Sequence, residues 1–537
     1  MGRLLFLTMF LFISSIGYAQ LRNLPLNKQS CRTAEKSLNS LTNCVHTAFQ
    51  PYPILLQEKK PTGSKDRWEL EFTDTIISEK RSWFYRKLRE ENLIYVDSGK
   101  QYLTVDPILN LEFGVDHYSL KSYDNYDTPF RNGRGFRVEG DLGAKVSFST
   151  SFFENQAFFL SYINRFVEQY GVVPGQGRTK SYITKINNLV GYDYAFATGY
   201  VSFQPISALN IQMGHGKHFI GDGYRSLILS DNSFNYPFLR ISTTLGKFHY
   251  NNLYAVYKNL NVELPTSPVT ERRFQQKAST IHHLSYAVNN RLQLGVFEAA
   301  LWRSLDKDER WNAADYFGFF NPIMMVRPIQ YGMDGDINLL TGLNCNFKLN
   351  NKILAYTQAV LDDHKTNRFG YQIGIKFHDV LHIQNLFAQF EYNHAEPYTY
   401  GHRDSTRSYT HYNQALAHPL GAGFDEALSC IYYRYKDFFI ESRTQLATYQ
   451  DDSLMTYHNG KDLFKSYDNG YSGARNLGQT TLLNQSIRLG YIVNPVTNLQ
   501  VFTGYTHRLE KSSSWQSENN YFYIGVTSVL SNTYYDF

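Results

Sequence analysis

The chain has 537 residues, 53 Lys and Arg against 48 Asp and Glu, and a formal net charge of +5 at pH 7. So small a basic excess, with no long Lys/Arg run, makes no nucleic-acid footprint, which needs basic residues gathered on one face. With 42 Tyr, 38 Phe and 5 Trp the chain is 16% aromatic and only 19% charged, which excludes disorder and a coiled coil.

Residues 1–20 read MGRLLFLTMFLFISSIGYAQ. A single charge at Arg3, an apolar run from Leu4 to Ile13 and the ending Gly17-Tyr18-Ala19 predict a Sec signal peptide over 1–19, cut after Ala19. The run is too short for a membrane anchor, and no later window of about 18 apolar residues predicts a spanning helix. Cys31, Cys44, Cys345 and Cys430 follow. In an oxidising compartment Cys31 and Cys44 are candidates for a disulfide, although sequence cannot choose among the possible pairings. No CxxC or HExxH spacing points to zinc.

Residues 20–105 are expected to form a partly helical N-terminal periplasmic segment. Pro51, Pro53 and Pro61 interrupt its first part, and residues 78–91, dense in helix formers and charge, predict one amphipathic helix. From Leu109 the pattern changes to period two. Leu109, Leu111, Phe113 and Val115 alternate with Asn110, Glu112, Gly114 and Asp116. Phe136, Val138 and Leu142 alternate with Arg137, Glu139 and Asp141. Further rows run through residues 292–298, 387–392 and 499–505, each with one apolar and one polar side. Asn132-Gly133, Asn289-Asn290 and Asn350-Asn351 read as turns between runs. No segment other than 78–91 shows a convincing helical period.

The rows continue to residue 537 without a linker, which points to a single unit over 106–537. Strands of roughly 10 residues plus their connections give about 18 antiparallel strands. An open sheet of that size exposes edges, whereas a closed one has none. The predicted fold class is therefore all-β, a transmembrane outer-membrane β-barrel with apolar rows on lipid and polar rows on a wet lumen. That division reconciles a mean hydropathy of −0.41 with a membrane location. Tyr192-Asp193-Tyr194 and Tyr432-Tyr433 suit aromatic girdles at the interfaces. The competing reading, a large secreted β-protein such as a propeller, lacks the self-similar repeat it needs. The row over 521–530, with Phe522, Ile524 and Val526 outward and Phe537 last, resembles the closing strand of bacterial outer-membrane barrels.

No enzyme emerges from the motifs. A G-x-S-x-G elbow is absent. Residues 214–226 carry His215, Lys217, His218, Asp222 and Arg225 in a glycine-rich loop that fails the Walker pattern at Asp222 and the dinucleotide pattern at Phe219. This loop is either a tight turn folded into the barrel or a lumen surface for an anionic or hydroxyl-rich ligand. Asp362, Asp363 and His364 lack the alternating ligands of a calcium loop and are followed by Lys365 and Arg368. No catalytic residue, metal or cofactor is predicted. Residues 398–413 include Arg403, Arg407, Tyr409 and His411, whose aromatic faces and hydrogen-bonding forks suit a sugar. They read as a solvated outer loop, or as the contact for surface polysaccharide or a partner protein. Residues 214–223 and 320–331 are expected to fold inward and keep conductance low.

Three stretches carry a resemblance. Residues 214–230 read GHGKHFIGDGYRSLILS. Residues 320–331, 338–349 and 354–363 read FNPIMMVRPIQY, NLLTGLNCNFKL and LAYTQAVLDD. Residues 409–426 read YTHYNQALAHPLGAGFDE. Together they resemble the RemB-type gliding-motility outer-membrane proteins of Bacteroidetes and, more distantly, the Wzi capsule-assembly barrels. The resemblance implies an 18-strand outer-membrane barrel with a non-catalytic role in gliding motility or in attaching capsular polysaccharide. The partners it implies are outer-membrane lipid, surface polysaccharide and other motility or secretion proteins of that membrane. The longer N-terminal stretch with Cys31 and Cys44 departs from the Wzi pattern. Two other functions are open to the same residues: a passive porin for small solutes, and an accessory of a larger secretion or motility complex.

Overall fold

The structure, a computed structural model, describes residues 20–41, 46–56, 81–98, 101–118, 128–183, 190–264, 273–304, 311, 313–331, 337–363, 368–450, 458–469 and 479–537. The signal peptide expected over 1–19 lies outside them, as do Cys44 and His364.

Eighteen strands, each antiparallel to its neighbours, close into one barrel. In chain order they are β1 (Gln101–Tyr118), β2 (Phe130–Leu142), β3 (Val146–Phe158), β4 (Val190–Ile206), β5 (Leu209–Gly216) and β6 (Tyr236–Leu245). Next come β7 (Phe248–Leu264), β8 (Arg273–Ala287), β9 (Leu292–Ser304), β10 (Asn338–Asn350), β11 (Ile353–Asp363) and β12 (Arg368–His378). The last six are β13 (Leu386–Ala395), β14 (Phe424–Tyr435), β15 (Phe438–Gln450), β16 (Gln479–Asn494), β17 (Leu499–Lys511) and β18 (Gln516–Thr527). β18 closes the ring on β1, with Phe522 opposite Val115 and Ile524 opposite Phe113. All four of those side chains point out and are exposed, as are Phe136, Ile373, Phe390 and Ile487. Closure pairs every strand on both sides, so this apolar belt can face hydrocarbon without orphaned backbone groups.

Connections alternate in length. One end carries turns such as 143–145, 207–208, 246–247 and 436–437, and the other carries 159–189, 217–235, 305–337, 396–423 and 451–478. In outer-membrane barrels the short turns are periplasmic and the long loops extracellular. Asn289-Asn290 lies in such a short turn, and Asn350-Asn351 enters one. Asn132-Gly133 does not: it sits inside β2, where a Cβ on Gly133 would come within 2.5 Å of Asn155 Oδ1. Glycine there serves close strand packing instead of a reversal.

The lumen is packed, which corrects the expected wet interior. Leu253, Ile281, Phe297, Leu340, Val360, Phe424 and Leu482 line the inner wall toward the long-loop end and join Leu227, Ile228, Tyr400, Tyr409 and Leu416 of the loops in one buried cluster. From the short-turn end, residues 20–41 and 46–56 enter the barrel, so this part of the expected periplasmic segment is internal. Its helix α1 (Lys28–Leu38) begins at Asn27, whose side chain accepts from Ser30 N. Opposite charges then hold it to the wall: Glu35 lies 3.1 Å from Lys376, Arg32 3.3 Å from Glu441, and Lys348 Nζ donates to the α1 carbonyl of Leu38 at 3.0 Å. A cation at a helix C-terminus is the favoured sign. The second half behaves differently. The helix expected over 78–91 is α2 (Trp83–Arg89), capped by Ser82, and it lies on the outer rim beside Tyr491 and Asn494 of β16.

Other helices appear where no helical period was read: α3 (Ser161–Tyr170) inside the barrel, and α4 (Ala313–Phe320) with α5 (Val326–Tyr331) on its outside, so residues 320–331, expected to fold inward, pack instead on the outward side chains Tyr250, Tyr254 and Glu298. Each buries one face on the wall, so packing decides what the short sequence period leaves undecided. Tyr192, Tyr194 and Tyr432 are buried in the interior, not in an interfacial girdle; the first two pack with Phe159 near α3. The closing strand stops at Thr527. Residues 528–537 then turn into the lumen, where Phe537 packs on Tyr162 and Phe166. Among the described residues no helix is long and apolar enough to cross a membrane.

Candidate functional site

The loop 217–235 is drawn into the barrel by its own apolar residues: Ile220, Leu227, Ile228 and Leu229 are all buried in the lumen cluster. Phe219 and Ile220 pair antiparallel with Gln50 and Phe49 of the N-terminal segment. Two glycines allow the loop to lie almost on the wall. Gly221 has φ +139°, and a Cβ there would come within 2.1 Å of the Gln358 side chain; one on Gly223 would come within 2.6 Å of Glu391.

Below the apolar layer, adjacent strands β11 to β15 point polar residues inward, among them Gln358, Gln372, Glu391, Glu426 and Gln445. This row reads the loop's backbone. Gln358 donates to Ile220 O at 2.8 Å and accepts from Leu227 N at 3.0 Å. Glu391 accepts from Tyr224 N at 2.7 Å and Arg225 N at 3.0 Å. Gln372 donates to Arg225 O at 3.0 Å. The Arg225 guanidinium, 1% exposed, lies 3.3 Å from Glu426, which is fully buried and is also bonded to His418 at 2.8 Å, Asn393 at 2.8 Å and Gln445 at 2.7 Å. Asp536 of the C-terminal tail meets the same arginine at 3.3 Å. Arg225 and the three hydrogen bonds from His418, Asn393 and Gln445 are what let the Glu426 carboxylate be buried.

The candidate ligand residues of the first loop are therefore engaged with protein. Asp222 accepts from Thr47 at 2.7 Å and from Asn346 at 2.9 Å. His218 Nδ1 is 3.2 Å from the Tyr236 hydroxyl. Lys217 donates to the carbonyls of Gly175 at 2.7 Å and Asp231 at 3.1 Å, and burial lowers its pKa to about 8. Half-buried His215 lies 3.1 Å from Ala197 O. His215, Lys217 and His218 line an internal cavity of about 150 Å³, together with Asn23, Phe196 and Tyr200. A larger one, about 280 Å³, lies toward the short-turn end among Arg32, Arg131, Arg443, Arg488, Glu112 and Glu441.

The second candidate stretch divides. Tyr409 is fully buried and stacks on Tyr400 with ring centroids 6.1 Å apart. His411 accepts from Lys258 N at 2.9 Å, and burial pushes its pKa down to about 3. Arg407 pairs with Asp404 at 3.2 Å and is largely covered. Arg403 alone of this group faces solvent, 71% exposed, 3.3 Å from Asp468. It shares the mouth with His402, whose ring meets Tyr467 edge-on at 6.4 Å. Tyr467 in turn lies under the Arg368 guanidinium at 4.4 Å. Asp362, the first of the rejected metal triplet, accepts from Tyr400 N at 3.0 Å. Cys31, offered for a disulfide, carries a buried thiol 3.1 Å from Pro25 O. Sequence reasoning missed Glu391, Glu426, Gln358 and Asp536; for the first three the only signal was their inward parity on a strand.

No protein-family model and no curated protein matches the chain. Among solved structures it is similar to Wzi of Escherichia coli, an outer-membrane carbohydrate-binding β-barrel involved in group 1 capsule assembly. That pair shares 12% identity over 78% of this chain and 83% of that one, with a TM-score of 0.48. It is also similar to OprD of Pseudomonas aeruginosa, at 11% identity, 79% and 94% coverage and a TM-score of 0.41. A third similar structure is OccAB2 of Acinetobacter baumannii, at 12% identity, 79% and 97% coverage and a TM-score of 0.39.

Proposed function

We propose that the chain is a non-enzymatic component of the outer membrane that acts in gliding motility or in organising and attaching cell-surface polysaccharide. The observation that carries this reading is a lumen filled from both ends. Residues 20–41, 46–56 and 528–537 fill it from the short-turn side, loops 217–235 and 396–423 fill it from the other, and the last three meet around Arg225, Glu426 and Asp536. A passive pore needs a continuous water column, which fully buried Leu227, Tyr400 and Leu416 interrupt. A closed barrel that presents a polar, aromatic mouth suits an anchor or a receptor. His402, Arg403, Tyr467 and Asp468 supply the flat faces and charged forks that sugars use. The RemB-like and Wzi-like words in residues 214–230 and 409–426 favour polysaccharide and neighbouring motility or secretion proteins as partners.

The test is a pair of measurements. Arg403→Ala with Tyr467→Ala should weaken retention of glycan at the cell surface while barrel abundance in the membrane stays unchanged. Retention equal to wild type refutes the mouth as the contact. In a planar bilayer the purified protein should be nearly silent, and steady open-channel conductance would favour the porin.

A further inference from the structure

We infer that residues 313–331 form an intramembrane clasp, a loop that folds over the outside of the barrel and meets the acyl chains of the bilayer. The wall beneath it is unusual. On β7, β8 and β9 the outward row contains the exposed Phe248 and Leu294 near the short turns, and further up it carries Asn252, His282 and Glu298 side by side. Glu298 stands six residues after Leu292. That is about 15 Å up a strand tilted by about 40°, within a lipid-facing band about 25 Å tall. A bare carboxylate there would be expelled by hydrocarbon.

The clasp supplies its partners. Arg327, 1% exposed, lies 3.4 Å from Glu298, which also accepts from Met325 N at 2.5 Å. His282 is 3.6 Å from the same carboxylate. Gly318 sits against the Trp302 ring, where a Cβ would come within 2.6 Å.

Two observations commit the outer face of the clasp to hydrocarbon. First, five successive carbonyls at the end of α4 and just beyond it are all taken by side-chain donors. Arg327 donates to Gly318 O at 2.6 Å and Asn321 O at 3.0 Å; Thr280 donates to Phe319 O at 2.9 Å. Tyr254 donates to Phe320 O at 3.3 Å, and Tyr250 to Pro322 O. A helix end in water leaves these groups to solvent; only a dry setting requires a protein donor for each. Second, among the described residues the large side chains turned away from the wall are apolar: Phe317 is 79% and Ile329 86% exposed, beside exposed Phe320 and Ile323. They extend the lipid belt across a strip where the wall itself is polar.

The experiment places a nitroxide at Ile329→Cys or, in a second protein, at Phe317→Cys. The background is the full chain with Cys31, Cys44, Cys345 and Cys430 changed to Ala, in phosphatidylcholine liposomes, with folding confirmed by heat-modifiable gel migration. Collisions with dissolved oxygen and with a water-soluble nickel chelate are compared with labels at Ile373→Cys on the belt and Arg403→Cys at the mouth. The oxygen-to-nickel ratio at both clasp sites should lie within about twofold of Ile373. A ratio like that of Arg403 would place the clasp in water and overturn the inference. Exclusion of both reagents would mean that a protein partner or second copy covers it, which also overturns it. An aqueous ratio at Ile373 itself would remove the membrane reading and the clasp together.

Discussion

Loops 217–235 and 313–331 solve the same electrostatic problem on opposite sides of one wall. Each brings an arginine to a fully buried glutamate accompanied by a histidine: Arg225 to Glu426 with His418 inside, Arg327 to Glu298 with His282 outside. The side is set by the strand, because Glu426 falls on the inward parity of β14 and Glu298 on the outward parity of β9. The loops then differ as their surroundings demand. The inner one uses Gly221 and Gly223 to approach the polar row. The outer one keeps Phe317 and Ile329 turned away from the wall. A buried charge on a barrel strand thus recruits a loop to whichever face it occupies.

The inner pair carries the larger load. Arg225→Ala leaves Glu426 and Asp536 without their shared guanidinium and should cost about 3–5 kcal/mol, read by urea unfolding, with channel openings appearing as the plug loosens. Unchanged stability and a silent bilayer would show that the pair does not hold the loop. Arg327→Ala should cost about 3 kcal/mol. Replacing both Glu298 and Arg327 by Leu should restore only the part owed to the bare carboxylate, because Gly318 O and Asn321 O still lose the donor that Arg327 gave them; limited proteolysis within 313–331 reports the release and its partial reversal. Gly221→Ala should cost about 1–3 kcal/mol, since φ +139° disfavours a Cβ and the Gln358 side chain must move. The smallest effect is chemical. Burial raises the Cys31 thiol to about 12. The reactive thiolate is thus absent at pH 8 in the folded protein, and maleimide should label this position only after unfolding. Rapid labelling of the native barrel would show that α1 is not seated in the lumen.

The wall was legible because strand parity is written residue by residue. Leu109, Phe113 and Val115 alternate in the sequence and emerge on the lipid side, and Phe390 and Tyr392 oppose the inward Gln389 and Glu391 as read. Asn132-Gly133 misled because the dipeptide that suits a tight turn also suits a place where two strands approach closely. The candidate loop residues were correctly seen as polar and clustered, yet Asp222, Arg225 and His411 proved to bind the protein itself. Composition cannot separate a group that awaits a ligand from one already satisfied by a distant strand.

By itself the sequence determined the barrel, its approximate strand number and which residues face hydrocarbon, since those follow from a period of two and the need to pair every backbone group. Only the tertiary structure decided what fills the barrel and which loop lies outside it. Those outcomes depend on partners far apart in the chain, Phe49 with Ile220, Arg225 with Asp536, Glu298 with Arg327. No local pattern encodes such a meeting; it is fixed when closure brings the strands' buried charges to particular heights on particular faces.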